Sequence, residues 1–567
     1  MTYFDNILVD IPKAKRLPKR NNKTYVVEIF QRASKNCKKD DTAIVGVLAS
    51  EGKMHPNMKY YERHPEIEKP VIKDASPSFS TCQSVGDYIF IKKIFEHLGL
   101  LTLLEEEFGS DAQLILAIVI YHLYTRDNSI QNFKYFVYDH YCGLNYIPSD
   151  TVLNNLFKQT MDNEKIKHFL GKRIKARLMI NKKPEIIVDF DSSNINTASN
   201  NISYAENGKP KVEEDLPQVN FAYAVERETG IPLYLDVFYG SIVDMEHCKT
   251  AITKLTAFAT KSKAEKIQQK LTFCFDRGYY VSYFINDIDE QYKFICMGKS
   301  SNFLNEIILK YPRNLIHQPV NKVADNFYGI KFRGKPFASI DKEMNIYLFY
   351  DPRANAGASK NEQDKIEKIA KAIINKKDKN DGIMKTYGKK INITYKSKTK
   401  IIVSATPNMN YLSEVYRDSG YSFMISNEDF PIEEVYKIYK NRDIIEKDFK
   451  YSKSECGSNK FYAQSDESMM SRTFIAFICS IIRTTLHNDM KPYFLQYGSE
   501  TTETVIRELG KIKVDKITDA FYPMCPLTNL QKQIFSFFEL SKSDYDALIS
   551  ELNIIEQATC VNVWTKV

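Results

Sequence analysis

The sequence predicts an α/β protein of several parts, in which a strand-rich core follows a small β region and an all-helical segment and is interrupted by a lysine-rich, mostly β stretch. Three observations predict it. The chain of 567 residues exceeds what one hydrophobic core usually serves, at roughly 100–200 residues per domain, so about three to four units are expected. Between Val85 and Leu178 apolar residues recur at three- and four-residue spacing, the period of helices that bury one face. From Pro184 the texture changes to β-branched and aromatic runs bounded by turn residues, as strands require.

In chain order, residues 1–80 open with a basic cluster, Lys13, Lys15, Arg16, Lys19, Arg20 and Lys23, ahead of two β-branched runs, Tyr25 to Phe30 and Thr42 to Leu48, that read as a small hairpin. A solvated tail is the simpler reading of the cluster and a DNA-contacting arm the sharper one. Residues 81–180 form the helical segment, carried by IFIKKIFEHLGLLTLLEEEF and LILAIVIYHLY, with DNA binding or dimerisation as its expected role. Residues 181–298 hold EIIVDFD, VNFAYAVERETGIPLYLDVFYG and KLTFCFDRGYY, with a helix from Met245 to Ser262 before the last, so the order is strand, strand, strand, helix, strand. The stretch 299–420 reads as mostly β apart from a helix near Gln363 to Lys376 and looks inserted in the core. Residues 421–490 return to the core through the strand YSFMIS, a long helix from about Pro431 to Tyr451 and an apolar helix from Arg472 to Leu486. The tail, 491–567, is mixed, and oligomerisation is its expected role.

Composition narrows the function classes. The chain is 43% hydrophobic and 13% aromatic, which excludes a largely disordered protein. Its net charge of +8 sets 79 Lys and Arg against 71 Asp and Glu, too even a balance to argue for nucleic acid by itself. The ten cysteines contain no C-x-x-C pair, which fits neither a zinc site nor a disulfide framework and suits a reducing cytosol. The N-terminal sequence lacks the order of a secretory signal. The longest apolar runs, Leu114 to Tyr121 and Phe474 to Ile482, fall short of the roughly 20 residues that span a bilayer, so no membrane partner is expected.

The densest chemistry lies in YKIYKNRDIIEKDFKYSK. Tyr439, Arg442, Glu446 and Lys453 fall at i, i+3, i+7 and i+14, within an arc of roughly 60° on one face of a continuous helix. A phenol, a guanidinium and an ammonium around one carboxylate suit a phosphodiester, the cations holding phosphate oxygens and the carboxylate a metal; a solvated charged face would look alike residue by residue. Two further acids follow apolar strands. Asp191 closes EIIVDFD and Asp276 follows LTFCF, where α/β sheets place their ligands and where an uncompensated charge is costly. Each on its own could equally cap a turn. Adjacent His247 and Cys248 cannot face one ion from a helix and read as structural.

At this point the chain resembles the DDE-type transposases of bacterial insertion sequences, in the branch whose signature is Y-x2-R-x3-E-x6-K. The signature stands at Tyr439, Arg442, Glu446 and Lys453, Asp276 lies in the D-R-G-Y context of the second acid, and the block from Asp215 to Asp244 is similar to the stretch between first and second acids. The resemblance covers roughly Pro184 to Leu486. It implies a ribonuclease-H-like catalytic core in 181–298 and 421–490 with a β-rich insertion in 299–420. Asp191, Asp276 and Glu446 would be the catalytic acids and would hold two Mg2+ ions, for which Mn2+ can substitute. Tyr439, Arg442 and Lys453 would contact DNA phosphates. The implied partner is double-stranded DNA, at transposon ends and target, held by a homodimer in a synaptic complex; the implied location is the bacterial cytoplasm, at the nucleoid.

Asp189 shares a strand face with Asp191 and competes with it for the place of first acid, Asp191 being preferred. The branch often carries a base-stacking Trp in its insertion, whereas the only Trp here is Trp564; a Tyr or Phe takes that role, or no base is flipped. Two rival readings retain the acids: a ribonuclease-H-like nuclease without end joining, and a domesticated derivative that binds DNA without cutting it.

Overall fold

The computed structural model describes residues 8–13, 15–20, 23–33, 39–65, 67, 79–180, 185–208, 216–260, 270–376, 386–396, 402–441, 445, 446, 449, 463–497, 501–517 and 520–564. The chain divides into two compact units, Met1–Ser78 and Phe79–Val567, fewer than its length suggests.

In the first unit the two predicted runs pair as antiparallel strands, Lys23–Gln31 with Asp41–Ser50, Tyr25 opposite Val47. Lys53–Pro56 and three two-residue strands complete a six-stranded sheet over Val26, Val45, Met54, Tyr60 and Tyr61. The basic cluster is not a tail. Lys15–Arg16 and Lys19–Arg20 are exposed on two of the short strands, both paired with Lys23–Gln31.

The second unit is built on nine strands: β1 (Glu185–Asn196), β2 (Gln218–Glu226), β3 (Pro232–Tyr239), β4 (Lys270–Phe275), β5 (Lys293–Met297), β6 (Lys322–Ala324), β7 (Phe327–Gly334), β8 (Met344–Tyr350) and β9 (Tyr421–Ser426). They form one sheet in the order β3-β2-β1-β4-β5-β9-β8-β7-β6. β1, β4 and β5 run parallel to one another, and every other neighbouring pair is antiparallel. Every residue of β2 and of β8 is buried, which suits strands covered on both faces.

This sheet revises the expected insertion. Strands β6, β7 and β8 come from the stretch 299–420 but continue the sheet beyond β9. Helix α2 (Pro352–Lys376) and the hairpin Ile391–Tyr395 with Ile402–Pro407 pack around a separate small core of Ile366, Ala370, Ile373, Ile391 and Ile402, which Tyr411 and Leu412 of the helix Met409–Asp418 also cover. The stretch is also more helical than expected, with Asn302–Lys310 and Met409–Asp418 among its helices.

Helix α1 (Asp244–Thr260) packs Cys248, Ile252 and Leu255 into the same cluster as Val188, Phe190, Phe273 and Phe275. Helix α3 (Ile432–Lys440) lays Val435 and Ile438 on Cys274, Ile295, Tyr347 and Met424. Alternation along β1 and β4 assigns the two sets of strand residues to opposite faces. Helix α4 (Asp466–Tyr497) outruns the predicted Arg472–Leu486 and carries the one described stretch long and apolar enough to cross a membrane; nearly all of that stretch is buried inside the protein. It packs on helix Ala112–Thr125 and on β3.

The helical segment 81–180 is consequently no separate body. One hydrophobic core runs from Val85 through the sheet to Leu552, and strand Cys82–Ser84 pairs with Lys513–Ile517. The tail 491–567 thereby closes the fold it begins with.

Candidate active site

The site starts where β1 outlasts β4. The two strands run side by side with Asp189 opposite Cys274 and Phe190 opposite Phe275, and there β4 ends. β1 continues to Asn196, paired on its other side with β2. Asp191 therefore lies within a strand, not at its end as the sequence suggested; its neighbour is what stops. The register sets Asp276, the residue after β4, beside Asp191, on strands about 4.8 Å apart. A crevice opens at the carboxyl end of β4, the usual ligand position of such sheets.

Asp189 and Asp191 share a face but differ in surroundings. Asp189 is buried and ion-paired with the buried guanidinium of Arg227. Burial lifts the Asp189 carboxyl above the usual carboxylate range, against the pull of Arg227. Asp191 is half-buried and accepts the backbone N–H of Ser192 at 2.8 Å, and Asp276 is exposed. A buried acid with its own counter-charge has little to offer a cation, whereas the two acids at the crevice mouth face solvent.

Glu446 reaches the site by a route the helical pattern did not predict. The continuous helix expected from Pro431 to Tyr451 stops at Lys440, with Asn441 as its cap; Ile445, Glu446 and Phe449 are helical again. The shared arc of the signature residues therefore does not hold between Tyr439 and Glu446, which stand on either side of the interruption. Arg442 and Lys453 lie outside the described residues. Glu446 is exposed, and three residues on, the buried Phe449 stacks on Tyr223 with centroids 5.2 Å apart and ring planes at 23°. Tyr223 is the residue opposite Asp191 across β1 and β2. The stack thus holds Phe449, three residues on from Glu446, against the strand that pairs with that of Asp191.

One cavity has Asp191, Asp276, Glu446 and Tyr439 in its wall, together with Arg277 and the paired Asp189 and Arg227. The Tyr439 ring packs against Phe327 and Phe349, 5.7 and 5.9 Å between centroids. Carboxylate oxygens in an open crevice are the donors a hard divalent cation takes, so the donor set fits. Among the described residues no three His, Cys, Asp or Glu side chains stand close enough to hold an ion as they are; a three-carboxylate site requires these acids to draw together.

The neighbouring ionisable groups are structural. Burial pushes the Cys248 thiol and the Tyr279 phenol well up, and the charges of Asp191 and Asp244 push the same way, so both stay protonated. His247 is buried, stacked on Phe238 at 3.7 Å and 3.3 Å from Asp236 Oδ2. Arg227 is the residue that sequence reasoning passed over. Its signal was present: an arginine at the end of the mostly apolar run VNFAYAVER, if buried with the strand, needs a partner for its charge.

The transposase DDE domain family matches residues 182–482, more than half of the chain, from β1 to well inside α4 and across all three candidate acids. The chain belongs to the DDE transposase family. The transposase is thus a metal-dependent enzyme that cuts DNA. No curated protein sequence matches it. Among solved structures, the piggyBac transposase synaptic complex with hairpin DNA aligns with 71% of this chain and 70% of its own, at 9% identity and a TM-score of 0.31. The Mos1 mariner paired end complex with Mn aligns with 26% of this chain and 50% of its own, at 13% identity and a TM-score of 0.14. Family membership rests on the sequence match.

Proposed function

We propose that the transposase excises and rejoins a bacterial insertion sequence by magnesium-dependent phosphoryl transfer at Asp191, Asp276 and Glu446. The observation that carries this reading is the single cavity whose wall holds those three acids with Tyr439. The order β3-β2-β1-β4-β5, with the first three strands antiparallel and β4 and β5 parallel to β1, supports a ribonuclease-H-like core.

The three acids would hold two Mg2+ ions, or Mn2+ in their place. When bound, such ions supply Lewis acidity that activates water and then the freed 3′-hydroxyl and stabilises the leaving oxygen. The chain's own residues do the remaining work. Arg227 cancels the charge of Asp189, so the negative charge facing the crevice is that of the three ligands. Tyr439, Arg442 and Lys453 hold backbone phosphates and set the scissile bond over the acids. Double-stranded DNA, as transposon end and as target, is the substrate, and a homodimer brings two ends together at the nucleoid in the cytoplasm.

Asp191→Ala, Asp276→Ala and Glu446→Ala should each abolish Mg2+-dependent cleavage of a duplex carrying the terminal repeat that flanks the gene, while still binding it, because phosphate contacts supply most of the affinity. A mutant that cuts normally removes its residue from the site. Wild-type cleavage without joining to a target plasmid would favour a plain nuclease; binding without cleavage would favour a domesticated derivative. Arg442→Ala and Lys453→Ala should weaken binding to all end sequences alike and lower the salt slope by about one charge each. An unchanged slope with a lower melting temperature would assign them to helix stability instead.

A further inference from the structure

Arg227 joins three elements that the site needs in register. It follows β2, and its backbone N–H donates to Ile187 O of β1 at 2.9 Å. Its guanidinium pairs with Asp189 of β1, donates to the carbonyl of Ile438 in α3, and lies 3.4 Å from Cys274 Sγ of β4. Both charged partners are buried. The Ile438 carbonyl belongs to the last turn of α3, where helix carbonyls lack acceptor duty within the helix, and a cation there also suits the helix dipole. Two residues later α3 stops, with Asn441 as its cap, five residues before Glu446.

On the reading of the site given above, we infer that Arg227 is a positioning residue for DNA cleavage. It latches the end of α3 to the strand of Asp191, fixing where the helix breaks and so where Tyr439 and Glu446 stand over the aspartates. Its pair with Asp189 also occupies the one carboxylate that would compete with Asp191 on the same strand face. A guanidinium suits this task because its planar fork donates to two acceptors at once; a lysine ammonium at the same place holds the charge but lacks the fork.

The test uses the full chain, Mg2+ and a terminal-repeat duplex, with single-turnover cleavage, duplex KM and thermal melting read for each variant. Arg227→Lys keeps the charge and loses the bridge, so kcat should fall ten- to a hundredfold, the scale of a small misplacement, with KM unchanged. Asp189→Asn keeps an oxygen acceptor for the fork and should lose less than Arg227→Lys. Wild-type turnover by Arg227→Lys overturns the inference, as does loss of kcat and of duplex binding together in step with melting temperature. No cleavage by Asp189→Asn also overturns it, making Asp189 a metal ligand. If Arg227→Lys fails to fold, Arg227→Gln, which keeps an N–H donor but replaces the two-armed fork by a single amide, is read by the same criteria. Asp191→Asn is run alongside: if it cuts normally, the site itself is misassigned, an outcome separate from any result at Arg227.

Discussion

Asp189 and His122 are both buried, and each answers burial in its own way. Asp189 takes a counter-charge from Arg227, and removing one member of a buried pair strands the other. Arg227→Ala should therefore cost about 3–5 kcal/mol in denaturant unfolding, and Asp189→Ala with Arg227→Ala less than the single change; a double-variant cost equal to the sum of the two single costs would mean that the pair is not coupled. His122, inside helix Ala112–Thr125, stays neutral instead. Burial, with Arg472 acting in the same direction and Asp127 opposing, lowers its pKa from 6.5 to about 3, and neither ring nitrogen has a hydrogen-bond partner among the described residues. Below pH 6.5 the unfolded chain takes up a proton that the folded chain refuses until about pH 3. Stability is accordingly full above the upper value and falls as pH drops through this window, by up to about 1.4 kcal/mol per unit. His122→Leu should flatten that acid loss. A wild-type stability difference between neutral and acid pH that survives in the variant would assign the response to other groups.

At the scale of elements, the broken helix after β9 decides the site. Before the break, α3 is fixed to the sheet by Val435 and Ile438; after it, Phe449 stacks on Tyr223. An offset aromatic pair adds about 0.5–1.5 kcal/mol beyond its buried area. Phe449→Leu keeps most of the apolar volume and loses the stack, so Glu446 should lose its fixed height above Asp191. Cleavage should slow while end binding holds; a variant that cuts at the wild-type rate would show that the stack does not position Glu446.

For the whole molecule, the two compact units differ in what they can lose. Residues 79–567 contain their own sheet and core, so deletion of 1–78 should leave a soluble protein with a cooperative melting transition. Deletion of 491–567 should not. It removes Leu509, Ile512 and Val514 from the shared core and the strand that pairs with Cys82–Ser84. A folded, cooperatively melting 1–490 fragment would contradict the single-core arrangement, and circular dichroism during heating distinguishes the outcomes.

Local physics made much of this legible in advance. Runs of β-branched and aromatic residues bounded by turn residues mark β1, β4 and β9, and helix α1 is read between its flanking strands, because such patterns depend only on neighbours in the chain. The acids Asp191, Asp276 and Glu446 stood out from their strand positions and the signature spacing, and the fold gathers them at one cavity. Contacts between distant residues decided the rest. Asp189 and Asp191 look alike in sequence until Arg227, 38 residues away, pairs with one of them. The helix from Pro431 looked continuous because nothing in its own periodicity announces a break, and the bond from Arg227 to Ile438 is a tertiary one. Likewise β6, β7 and β8 read as an insertion, since strand order follows from which edges pair across the whole sheet and not from the order of the chain. Sequence determined which residues are apolar, charged or able to bind a cation; tertiary structure decided which charges are already compensated, because compensation is a property of pairs.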